Sequence, residues 1–160
     1  MRVACEARPR GDRPDRARLV TAVRALARAS RTLELASDEL SLAQYRVLAA
    51  IASGEERASW VASRLAIGKP AVSALVESLS RRGLLDREVV ASDQRAVALR
   101  VTREGAAVLA RAEGAMAERL QAVLERCEER AEILASLGRL GELLEARAAE
   151  HRARHARPRP

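Results

Sequence analysis

The sequence predicts a mainly α-helical chain carrying one small β-hairpin. Three observations lead there. Apolar residues recur at three- and four-residue spacing through most of the chain. Pro occurs at positions 9, 14, 70, 158 and 160, so only Pro70 interrupts a body rich in the helix formers Ala, Leu, Arg and Glu. Between Leu84 and Val101, β-branched residues flank one polar turn. At 160 residues the chain fits a single domain with a working core.

A first helix is expected over residues 15–34, where Leu19, Val23, Leu26, Ser30 and Leu33 form a narrow seam suited to packing on another helix. A second opens at Ser41. Ser41 and Gln44 can form a capping box, Leu40 and Tyr45 the hydrophobic staple around it. Tyr45, Leu48 and Ile51/Ala52 then face inward, giving Tyr45 a structural role, and Gly54 ends the helix. A short third helix spans 58–66 with Ser59 as its cap. Gly68-Lys69-Pro70 makes a tight turn, with Pro70 at the first position of a fourth helix. That helix turns Val72, Leu75, Val76 and Leu79 inward, leaves Lys69, Ser73, Ala74 and Glu77 towards solvent, and stops at Gly83.

Residues 85–90 and 96–101 read as the two strands of a hairpin whose tip is Ala91-Ser92-Asp93-Gln94-Arg95. Thr102 caps a fifth helix over 104–127, with Leu109, Ala112, Met116, Leu120, Val123 and Cys127 on one stripe. A last helix over 131–149 carries Ile133, Leu134, Leu137, Leu140 and Leu144, and Gly138 and Gly141 would let another helix approach closely. No repeat of 20–50 residues is visible.

Charge divides the chain further. The formal net charge is +7, from 29 basic and 22 acidic residues. Residues 1–18 sum to +3 and 151–160 to +4; within the neutral body, 19–56 sum to −1, 57–105 to +4 and 106–150 to −3. A basic middle between acidic flanks points to an anionic partner meeting the centre of the chain. Tyr45 and Trp60 are the only aromatics, whereas single-strand and RNA readers usually stack bases on aromatic platforms, so duplex DNA is favoured. The longest uncharged stretch, 47–54, is far too short to cross a bilayer, and residues 1–18 hold six arginines without an apolar run. Cys5 and Cys127 lie far apart and make no ligand cluster, which fits a reduced, cytoplasmic protein.

Two short helices joined by a tight turn and followed by a hairpin make a winged helix-turn-helix. A helix of this kind fills a major groove and turns its amino end towards phosphates. The hairpin reaches the neighbouring minor groove, whose potential attracts arginine. The plainer alternative is a helical domain with an ordinary surface loop.

The run Ala62 to Gly83, continued by Leu84-Leu85-Asp86-Arg87, resembles the recognition unit of the MarR-type (multiple antibiotic resistance) regulators. Ser92-Asp93-Gln94-Arg95-Ala96-Val97 followed by Leu99-Arg100-Val101-Thr102-Arg103-Glu104-Gly105 is similar to that family's wing signature. The resemblance covers roughly residues 15–150. It implies a homodimeric winged-helix transcription factor in which helices one, five and six form the dimer interface. Such a factor commonly represses a neighbouring gene and leaves DNA when a small ligand or an oxidant arrives. By position, Ser73 matches the recognition-helix residue facing bases or phosphates, Lys69 the basic residue at its start, Arg95 the wing arginine, and Asp93 the acid that steadies the wing. Pro70, Ala74, Glu77 and Arg87 complete the expected DNA-facing set. Gly68 stands where a capping Ser or Asp is usual, Ala74 where an arginine or polar residue is common, and Val89-Val90-Ala91-Ser92 where Pro-Asp-Pro is usual.

The expected organisation is a basic arm (1–14), a winged-helix domain (15–150) and an Arg-rich tail (151–160). Within the domain, residues 41–103 would form the DNA-binding lobe, and 15–35 and 104–149 the dimerisation helices. A ligand pocket between lobe and dimer helices would be lined by Leu26, Tyr45, Leu48, Trp60 and Met116. No Gly-rich phosphate loop or Ser/His/Asp set supports catalysis, and His151 and His155 lie in the tail, so neither enzyme activity, metal nor other cofactor is expected. Cys127 reads as a buried small hydrophobe and Cys5 as an arm thiol. The first helix lacks the cysteine used by the family's peroxide sensors. The competing function is a winged-helix protein-interaction module, antirepressor-like, that does not read DNA.

Overall fold

The computed structural model describes residues 15–54, 57–90 and 93–156, with backbone only for 89, 90, 93–97 and 151–156. The element order is α1 (Arg16–Glu34), α2 (Leu42–Ala52), α3 (Ala58–Leu65), α4 (Lys69–Arg81), β1 (Leu85–Val90), β2 (Asp93–Val101), α5 (Arg103–Leu124) and α6 (Arg130–Ala156). This is the mainly helical winged helix-turn-helix arrangement expected from the sequence, with β1 and β2 forming an antiparallel two-stranded sheet.

One core holds the lobe together. Leu40, Val47, Leu48, Ile51, Val61, Val72, Val76, Leu79, Leu84, Leu85, Leu99, Val108 and Leu109 cluster where α2, α3, α4, the hairpin and the first half of α5 meet. Local chemistry starts each element. Ser41 Oγ accepts from Gln44 N–H at 3.2 Å while the Gln44 side chain accepts from Ser41 N–H at 3.0 Å, closing the capping box. Such a cap contributes about 1 kcal/mol. Buried Leu40 and half-buried Tyr45 both pack on the core at that end of α2. Gly83, with φ +71°, ends α4 in the left-handed region that costs a glycine little.

Several boundaries differ from expectation, each for a physical reason. The buried side of α2 holds Val47 and Ala50 as well as Leu48 and Ile51, and Ala52 is exposed, because α2 is packed by α3, α4, α5 and β2 together. The cap of α3 is Arg57, whose carbonyl accepts from Trp60 and Val61 N–H at 2.9 and 3.1 Å; Ser59 lies inside the helix and caps nothing. Pro70 occupies the second position of α4, after Lys69, where a missing N–H still costs no intrahelical bond.

Strand β2 begins at Asp93 rather than residue 96. Val89 pairs with Val97 and Val90 with Asp93, so residues 94–96 form an irregularity in the ladder. Arg95 therefore belongs to the bulged strand, not to a loop; polar composition resembles a turn, but backbone register decides pairing.

Helix α5 ends at Leu124, three residues short of Cys127. Acidic Glu125, Glu128 and Glu129 are unfavourable against the negative end of a helix, and the chain turns there, Cys127 N–H bonding Leu124 O at 3.0 Å. Cys127 is thus half-buried in a turn, its thiol 3.4 Å from Glu129 Oε2, not on the apolar stripe of α5. Helix α6 runs on to Ala156, since no Gly or Pro intervenes between Gly141 and Pro158. A Cβ at Gly138 or Gly141 would meet open space among the described residues.

Helix α1 contributes no buried residue: Leu19, Val23 and Leu26 of its seam are exposed, Val23 by 64%, while Ser30 and Leu33 are half-buried. Ile133, Leu134, Leu137, Leu140 and Leu144 of α6 are exposed as well. Among the described residues no helix is long and apolar enough to cross a membrane.

Candidate nucleic-acid interface

The turn before α4 sets up the candidate interface. Ala66 closes α3 in the left-handed region (φ 52°), and Ile67 N–H returns to Ala62 O at 3.2 Å. Gly68 then caps α4 without any side-chain acceptor, and its first turn contains no acid. The leading N–H groups thus remain open to an outside acceptor, with Lys69 beside them. Val72, Val76 and Leu79 anchor the helix from below. Lys69, Pro70, Ser73, Ala74 and Glu77 are all exposed, one contiguous outward face as expected from the 3.6-residue period.

The hairpin follows directly after Gly83. Arg87 is exposed on β1, and Glu88 Oε2 accepts from Arg100 Nε at 2.6 Å across the strands. The backbone carries Asp93 and Arg95 in β2, but their side chains, like those of His151 and His155, lie outside the described residues, as does Cys5 entirely.

The basic segment divides into engaged and free charges. Arg82 donates to the Glu39 carbonyl at 2.8 Å, Arg57 lies over the Trp60 ring at 5.1 Å from its centroid, and Arg64 pairs with Glu145. Lys69, Arg81, Arg87 and Arg103 have no ion pair among the described residues, so their charges are available to an anion. Arg81 and Arg103 lie within the quoted motif runs without an expected role of their own; the basic count of the segment is the signal that contains them.

Outside that face, Glu39 is an electrostatic node. Both its carboxylate oxygens accept from Arg111, at 2.9 and 2.8 Å, and this bidentate contact holds its pKa below the ordinary 4.5. Arg111 also lies 3.6 Å from Glu104. Burial, and then the carboxylate of Glu113, push the Tyr45 phenol above its usual value of 10.

The residues expected to line a ligand pocket differ in exposure. Leu26 is exposed on α1 and Trp60 on α3, Tyr45 is half-buried, and Met116 is buried in α5. Leu48, with no exposed surface, is sealed inside the lobe core. An open groove of about 500 Å³ lies where α5 passes into α6, its lining including Leu120, Leu124, Leu134, Glu125 and Arg130. Among the described residues no group of three His, Cys, Asp or Glu side chains is arranged to hold a metal ion.

Comparison with known proteins fits this architecture. The model of the MarR family matches residues 39–96, the stretch from just before α2 into β2. The crystal structure of apo wild-type MarR from E. coli is 19% identical, covering 81% of this chain and 98% of that one with a TM-score of 0.66, a likeness of fold. The transcriptional repressor CouR, solved bound to a 23-mer DNA duplex, is 27% identical, covering 82% of this chain and 99% of that one with a TM-score of 0.66. The PcaV transcriptional regulator from Streptomyces coelicolor, solved with its natural ligand, is 28% identical, covering 79% and 89% with a TM-score of 0.54. No curated protein matches the sequence. The family model thus spans α2, α3, α4 and most of the hairpin, and the likeness of fold to MarR and CouR extends over 81% and 82% of this chain.

Proposed function

We propose that the protein is a homodimeric cytoplasmic repressor that binds a pseudo-palindromic duplex operator and is released from it by a small-molecule ligand. The observation that carries this reading is the outward face of α4: an uncapped amino end, Lys69 beside it, and Ser73 one turn further, supported from below by the lobe core. CouR, of the same fold, is solved on duplex DNA, and PcaV with a ligand. In this reading Lys69, Pro70, Ser73, Ala74 and Glu77 enter the major groove, Arg87 and Arg95 flank it from the hairpin, and Asp93 steadies the wing. The bare apolar faces of α1 and α6 supply the dimer contact, and the two recognition helices sit about 34 Å apart, one turn of duplex. The ligand favours a lobe spacing that no longer fits this separation.

The deciding experiment is a gel-shift titration against the DNA flanking the protein's own gene, with non-specific competitor present. A discrete shift that survives competitor, and that weakens in Arg95→Ala without loss of folding, is the expected result. A folded dimer giving no specific shift would favour a second reading, a protein-interaction module. Exposed Ala74 and Glu77 motivate that alternative, because they place an apolar and an acidic group on the face that would meet DNA.

A further inference from the structure

Helix α3 packs against α6, the long helix that otherwise lies outside the lobe core. At this contact the guanidinium of Arg64 forms an ion pair with the carboxylate of Glu145, joining residues 81 positions apart. The two side chains differ in setting: Arg64 is only 18% exposed, whereas Glu145 is largely open to solvent. Arg64 is therefore a largely buried cation on the last turn of α3, and Glu145 is its partner from α6. An ordinary surface pair contributes little to stability. A pair across a seam between two bodies can nevertheless bias their relative orientation, because it is formed in one arrangement and lost in another. Helix α3 is followed by Ala66, Ile67 and Gly68 and then by α4, so any swing of α3 against α6 carries α4 with it.

We infer that Arg64 and Glu145 are positioning residues for DNA reading: their pair latches the lobe to α6 and so fixes where α4 points. This inference rests on the proposed DNA-binding role, but the latch is measurable without DNA. The test uses the full chain with Cys5→Ser and Cys127→Ser, spin-labelled at Arg46→Cys on α2 and Arg139→Cys on α6. Labelled protein is diluted into excess unlabelled protein, so that only distances within one chain are read.

A single narrow distance is expected for the parent. E145Q should broaden it or add a second population at unchanged melting temperature, and the charge exchange R64E/E145R should restore it. A random-sequence duplex, titrated separately, should bind E145Q roughly 3–10-fold more weakly and the exchange variant like the parent. An unchanged distance in E145Q, or a broadening that charge exchange does not reverse, overturns the latch. A latch that behaves as expected in a protein whose parent form binds no duplex would instead overturn the DNA-binding reading and leave the latch standing.

Discussion

Gly105 sits against the backbone of Leu84. A Cβ at Gly105 would overlap the Leu84 carbonyl oxygen and come within 2.9 Å of its carbon, while also lying 3.0 Å from Val101 Cγ1. The approach is set by Thr102, whose hydroxyl donates to Gly83 O at 2.7 Å and accepts from Gly105 N–H at 2.9 Å. Thr102 N–H also bonds Leu84 O at 3.2 Å. One four-residue stretch thus fastens the start of α5 to the junction between α4 and β1, where α4 hands over to the hairpin.

Gly105→Ala should therefore be among the most damaging single-methyl additions in the chain. The obstacle is backbone held by its own hydrogen bond, so it cannot yield as a side-chain tip would. Overpacking of this kind costs about 1–3 kcal/mol, and a value near the upper end is expected from urea or thermal unfolding. Gly114→Ala, on the same helix with nothing near its Cβ, is the control and should leave stability unchanged or slightly raised. Equal effects from the two would mean that the contact with Leu84 is not tight.

The Glu39–Arg111 contact predicts a pH dependence whose sign is fixed. Arg111 lowers the Glu39 pKa in the folded state, so the folded protein holds this proton less readily than the unfolded chain. The stabilisation is present above the ordinary value of 4.5 and is lost as pH falls through the folded value. Urea midpoints of the parent and Glu39→Gln should differ at neutral pH and converge in acid, and added salt should narrow the neutral difference because both side chains are exposed. A difference that stays constant from neutral to acid pH would show that the carboxylate charge is not what Arg111 recognises.

What could be read from sequence follows the range of the interactions involved. Helix α2 was legible because its cap is local: Ser41 and Gln44 are three residues apart. The outward face of α4 was legible from its 3.6-residue period and Gly83. Strand β2 was misjudged at its start, since pairing of Asp93 with Val90 is a matter of register between strands that polar Ser92, Asp93 and Gln94 do not reveal. Two contacts had no sequence signal at all. Arg111 with Glu39 and Arg64 with Glu145 join residues 72 and 81 positions apart, and nothing in their neighbourhoods distinguishes those arginines from the others.

Lys69 provides a quantitative check on the proposed DNA interface. If its ammonium neutralises one phosphate, Lys69→Ala should reduce the slope of log affinity against log salt by about 0.9. The loss should be similar on operator and random duplex, because a phosphate contact carries no base information. Ala74→Arg should act in the opposite direction, steepening the slope by adding a cation to the outward face of α4. A Lys69→Ala slope equal to the parent's would remove that side chain from the interface even if overall binding were retained.

The bare faces of α1 and α6 make the last prediction. Neither helix depends on the lobe core for burial, and α1 buries no residue at all within the chain, so a charge placed there should leave the lobe folded. In a dimer the same charge would be taken out of water without a partner, which is strongly unfavourable. Val23→Glu on α1 and Leu144→Glu on α6, the latter 61% exposed, should each shift the mass measured by sedimentation from two chains towards one. Far-ultraviolet spectra should still show the lobe helices. The two substitutions combined should give a monomer whose affinity for duplex falls further than its salt slope per chain, since losing the second lobe removes half the contacts without altering those that remain. If both single variants stay dimeric at low concentration, the chains meet on another surface, and the spacing of recognition helices assumed for the operator would have to be rebuilt from that surface.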